Sequence, residues 1–137
     1  MGLYLCAFDD DEEVDGVEIG SYEDFNVFRN AVVAAVENGK RGSRCPVLQN
    51  HHDSDGEWTP EEAARLIEEL DLVKKELSGK PPVEFNSDWK KKVAASLGLT
   101  PKNLLECFFD VDGEPLVTRI RRLAEKSVER DIPILFQ

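Results

Sequence analysis

The chain has 137 residues, 41% of them apolar and 33% charged, with 17 Lys and Arg against 28 Asp and Glu for a net charge of −11. That is one domain with enough apolar surface for a core, and it excludes disordered, collagen-like and fibrous chains. No apolar run approaches the roughly 20 residues that span a bilayer, the N-terminal residues lack a basic signal-peptide region, and three cysteines without a C-x-x-C pair point to free thiols in a reducing cytoplasm.

Leu3 to Phe8 is a short apolar run that reads as a buried strand. Asp15-Gly16 reads as a turn, with Val17-Glu18-Ile19 as a short alternating strand after it. Ser21 predicts a helix start, because its hydroxyl can accept from first-turn amides and Glu23 and Asp24 suit the positive end of the helix dipole. Phe25, Phe28, Val32 and Ala35 recur at helical spacing as its buried stripe, and Asn38-Gly39 ends it. Pro46 to Asn50 reads as a second strand, so that strand, helix and strand form a parallel, right-handed crossover.

Thr59-Pro60-Glu61-Glu62 combines a cap, a proline at the first helical position and a Glu three residues after the cap. The helix it opens extends to about Leu77, with Ala63, Leu66, Ile67, Leu70, Val73 and Leu77 on one face. Residues 78–87 form the one linker-like stretch. Ser87 or Asp88 opens a short basic helix through Trp89, Val93 and Leu97, stopped by Gly98. Thr100-Pro101 starts a further helical turn, and Leu105 to Phe109 reads as a third strand. Asp112-Gly113 turns into a last helix with Leu116, Ile120, Leu123 and Ala124 inward and Arg119, Arg121 and Arg122 outward, before a terminal strand at 132–136. The expected fold is one α+β domain over residues 1–137, a small mixed and partly parallel sheet flanked by about four helices.

Chemistry is sparse. Asp53, Asp55, Gly56 and Glu62 match part of a calcium-loop template, but His51 stands where the first Asp belongs and Glu62 already has a capping role. A divalent-cation module using residues 53–62 is therefore an alternative, not the main reading. A transition metal could use His51, His52, Asp53 and a cysteine, but nothing fixes that fourth ligand and the paired Cys or His spacings of structural zinc are absent. There is no G-x-S-x-G elbow, and Cys6 and Cys107 lie in apolar runs as inert thiols. No phosphate-binding glycine loop occurs, and no catalytic residue or cofactor is assigned. A small enzyme of unknown substrate and an acidic housekeeping domain remain rivals. Trp58 and Trp89 stand beside charged segments, where an aromatic serves as interface anchor or core plug.

The charge is localised. Residues 1–28 hold nine acids and no Lys or Arg, leaving 19 acids against 17 bases in the rest. Such a block repels nucleic acid and anionic membranes and attracts basic proteins. Read blandly, it is a solvated loop.

The stretches Gly2-Leu3-Tyr4-Leu5-Cys6-Ala7-Phe8-Asp9, Val14-Asp15-Gly16-Val17-Glu18-Ile19-Gly20, Ser54-Asp55-Gly56-Glu57-Trp58-Thr59-Pro60-Glu61-Glu62-Ala63, Glu106-Cys107-Phe108-Phe109-Asp110 and Ile132-Pro133-Ile134-Leu135-Phe136-Gln137 resemble the immunity protein 70 family over the whole chain. The resemblance implies an α+β bacterial immunity protein, encoded beside a toxin of a polymorphic secretion system. It implies a cytoplasmic, stoichiometric inhibitor that binds the toxin and has no catalytic residues. With the charge distribution, it shifts the acidic block from solvated loop toward partner surface. The expected contact residues are Asp9, Asp10, Asp11, Glu12, Glu13 and Asp15, joined by Asp53, Asp55, Glu57 and Trp58 and facing a basic toxin.

Overall fold

The structure, a computed structural model, describes residues 2–51, 55–85 and 87–137. Strand β1 (Gly2–Asp9) folds back on β2 (Glu12–Ser21), and α1 (Tyr22–Ala35), the one-turn α2 (Pro46–Gln49), β3 (Glu57–Trp58) and α3 (Pro60–Ser78) follow. Then come α4 (Asp88–Leu97), a 3-10 turn at Leu105–Cys107, α5 (Leu116–Arg130) and β4 (Ile134–Phe136). The sheet order is β2-β1-β4-β3 and every pair is antiparallel.

The hairpin turn is Asp10-Asp11, both left-handed at φ 50° and 67°, and not Asp15-Gly16. Two consecutive left-handed residues match the twist of flanking strands, and Asp tolerates that region better than most side chains. Gly16 lies inside β2, where a Cβ would collide with the Tyr4 hydroxyl. The glycine therefore makes room for a ring and does not turn the chain.

Both strong helix starts form as expected. Ser21 with Asp24, and Thr59 with Glu62, close reciprocal capping boxes. The stripes also hold: Phe25, Phe28 and Val32 of α1, Leu66, Leu70 and Leu77 of α3, and Ile120, Leu123 and Ala124 of α5 are buried, with Ala35 and Ile67 half-buried. They meet Leu3, Leu5, Val17 and Ile19 from one face of the sheet in a continuous core. That core holds α1, α3 and α5 against the same side.

The parallel crossover is not there. Pro46–Gln49 is helical because distant carboxylates satisfy its first turn: Glu69 of α3 accepts from Val47 N and Leu48 N at 3.1 and 2.9 Å. Glu37 likewise accepts from Arg44 N and Cys45 N, both at 3.0 Å. Two amides of the expected strand, Val47 and Leu48, and the two just before it, Arg44 and Cys45, are thus held by side chains. The next strand is Glu57–Trp58, antiparallel to β4. Leu105 to Phe109 is not a strand either, since Asn103 and Glu106 close a local turn and Phe109 makes a single bridge to Pro115. Thr100-Pro101 starts no helix. The helices number five among the described residues, α2 being one turn.

Candidate partner interface

The nine acids of residues 1–28 separate into two groups once folded. The strands pair Asp9 with Glu12 and Phe8 with Glu13, then slip by one residue so that Ala7 faces Asp15. That bulge changes the side on which later β2 residues project. Asp15 consequently turns toward α5, where Arg119 lies at 3.3 Å and Lys126 at 3.5 Å and its side chain is 13% exposed. Asp15 is thus an internal tether and not a partner-facing carboxylate. Arg119, expected outward, is drawn inward by the same pairing and also donates to the Gly16 carbonyl at 2.6 Å. Asp9 is half-buried, with Arg130 at 3.3 Å.

Asp10, Asp11, Glu12 and Glu13 are exposed and form the tip. The Tyr4 hydroxyl donates to Glu13 across the strand at 2.5 Å. Burial and the Glu13 carboxylate raise the Tyr4 phenol far above its ordinary value, so it remains a donor at neutral pH. An acidic hollow of about 500 Å³ opens between Asp9, Asp10, Glu12, Glu13 and Arg130.

The second group of expected residues divides as well. Asp53 lies outside the described residues. Asp55 and Glu57 are exposed at the far edge of the sheet. Glu57 pairs with Leu135, which pairs with Cys6, which pairs with Gly16. Cross-strand neighbours share a face, so Glu57 and Glu13 lie on the same side, opposite the helices. Trp58 is a correction: it is fully buried, donates through Nε1 to the Val47 carbonyl at 3.1 Å and packs edge-on to Phe136 at 4.7 Å. Its position next in sequence to Glu57 places it on the core side of β3, out of reach of any partner.

Of the candidate cation ligands at this loop, His52 and Asp53 lie outside the described residues. Glu62 Oε1 accepts from Thr59 N at 3.0 Å, so the capping role claims it. Among the described residues no group of three or more His, Cys, Asp or Glu side chains is placed to hold a metal ion. The buried thiols are poor nucleophiles: burial, together with Glu69 and Glu37, pushes Cys45 up to about 12, and burial raises Cys6.

A feature the sequence reading missed joins the start of α1 to α4. The Trp89 indole donates to Asp24 Oδ2 at 2.9 Å, and that oxygen also accepts from the Ser21 amide and hydroxyl, both at 2.8 Å. A Cβ on Gly20 would stand 2.8 Å from the Trp89 ring, so glycine is what lets α4 approach. Burial works to raise the Asp24 pKa, but the Ser21 amide, the Trp89 indole, the Ser21 hydroxyl and the Lys90 charge outweigh it and hold it below its ordinary value. A depressed carboxyl contributes stability above its unfolded pKa and loses it as pH falls through the folded one. Wild-type unfolding free energy should therefore fall as pH drops from about 5 toward 2, and Asp24→Asn should flatten that slope. Chemical denaturation at a series of pH values checks this. An unchanged slope would move the acid sensitivity to other carboxylates.

A family model described as Immunity protein 70 matches residues 3–136, nearly the whole chain. No curated protein and no solved structure matches it. Among the described residues, no helix is long and apolar enough to cross a membrane.

Proposed function

The chain belongs to the immunity protein 70 family, and we propose that it neutralises a cognate toxin by binding it directly, covering a basic toxin site with the acidic hairpin tip. The observation that carries this is the hairpin itself. Four consecutive acids, Asp10 to Glu13, project from the end of a two-stranded ribbon, while Asp9 and Asp15 behind them are bound to α5. A concentrated negative field accelerates encounter with a basic surface and disfavours wrong partners. Inhibition by occupancy needs no reacting group, and the buried carboxylates Glu37 and Glu69 are already engaged with backbone amides. On this reading the chain acts in the cytoplasm, where a toxin-producing cell must protect itself.

The test is protection in a bacterial host that expresses the toxin domain encoded by the neighbouring gene. Co-expression of this chain should restore growth and the two proteins should elute together. Growth arrest despite a well-expressed, folded chain would overturn the reading. The cation alternative predicts instead a rise in melting temperature with calcium that Asp55→Ala removes.

A further inference from the structure

We infer that the face of the sheet opposite the helices is the docking surface for a basic protein, with Phe8, Tyr4 and Leu135 at its apolar centre and Glu13, Glu18 and Glu57 at its rim. This rests on the toxin-binding reading above and names the surface through which it acts.

The helices α1, α3 and α5 cover only one side of the sheet. On the other side, register places Tyr4 beside Glu18, Phe8 beside Glu13, and Gly16, Cys6, Leu135 and Glu57 in one row across all four strands. Phe8 is 37% exposed, and Tyr4 and Leu135 are half-buried. The Tyr4 ring lies along β2 over Gly16, held by its bond to Glu13. An aromatic fixed in this way loses little freedom when a partner covers it, which is the property of an interface anchor.

Charge decides the kind of partner. None of the four strands contains a Lys or Arg, and all 17 cations of the chain belong to helices and loops. The strands therefore give the open face acids and no cations, whereas the helices and loops carry both signs. A second copy of this chain is a poor occupant, because pairing the face with itself sets Glu13, Glu18 and Glu57 against like charges.

A ribbon of this length and a four-strand width give roughly 400 Å² of open face, about half of what each partner buries in a stable complex, so the neighbouring hairpin tip must share the contact. Docking is face-on and not by strand addition to β2, because Arg119 and Val111 N already occupy the outer carbonyls of Gly16 and Glu18.

The experiment is calorimetric titration of the purified chain with the toxin domain encoded by the neighbouring gene. It compares wild type with Phe8→Ala, with the double variant Glu18→Arg/Glu57→Arg, and with the helical-side control Glu68→Arg/Glu129→Arg. All altered side chains are exposed, and circular dichroism and melting temperature confirm folding. Phe8→Ala and the double variant should each weaken binding at least tenfold, with the control within twofold of wild type. Binding within twofold for both face variants, while reversal of the hairpin acids weakens it, overturns this surface and leaves the toxin-binding reading standing. No binding by wild type overturns both. A wild-type dimer in sedimentation that Phe8→Ala dissociates overturns the basic-partner assignment in favour of self-association.

Discussion

Reversing Asp10, Asp11, Glu12 and Glu13 to Lys should slow association with the toxin on the order of 10–100-fold at low salt. The four changes alter the local charge by eight units at the exposed end of the hairpin. Rim charges act mainly on the encounter rate, so dissociation should change much less. Wild-type association should decline steeply as added salt shortens the screening length, and the variant should be nearly flat. Lysine at the two left-handed positions also strains the turn, so the amide variant Asp10→Asn/Asp11→Asn/Glu12→Gln/Glu13→Gln separates charge from shape. It should fall between wild type and the reversal. Stopped-flow association at several salt concentrations gives all three curves; equal rates for the three proteins would remove the electrostatic mechanism.

Trp58→Ala should destabilise the fold by about 3–5 kcal/mol, the usual range for deleting a buried Trp. The indole fills the junction of β3, β4 and α2, touching Phe136 and His51 and donating to the Val47 carbonyl. Its removal leaves a cavity and an acceptor without its donor. Against a total stability of about 5–15 kcal/mol for domains in general, that loss is large. Urea unfolding measures it directly. A variant that keeps wild-type stability and yet loses the toxin would return Trp58 to the interface; the predicted variant binds with near-native affinity at temperatures where it remains folded.

The contrast between these two sites shows what the sequence could carry. Helix starts at Ser21 and Thr59 were legible because their capping partners, Asp24 and Glu62, lie three residues away. The one-turn helix at Pro46 was not, because Glu69, which satisfies its amides, lies more than twenty residues downstream. An apolar stretch with unpaired first-turn amides reads as a strand until that carboxylate is in place. The same error produced the parallel crossover.

The candidate site shows the limit of counting charges. Asp15 belongs to the same acidic run as Glu13, and only the bulge between them sends one to α5 and the other to solvent. Glu57 and Trp58 are neighbours in sequence, and the pleat of a two-residue strand separates their roles. The turn at Asp10-Asp11 escaped because glycine dominates the usual hairpin signal, while Gly16 serves a ring packed across its strand. The open face escaped for a different reason: Leu3 to Phe8 is apolar at every position, so alternation could not reveal which side the helices cover.

The most direct measurement is a titration of toxin activity with the purified chain at toxin concentrations far above the dissociation constant. Inhibition by occupancy predicts a straight decline that reaches zero at one equivalent, with the hairpin reversal needing a large excess. Toxin that stays active at several equivalents, or that is silenced by a small fraction of one, would contradict it.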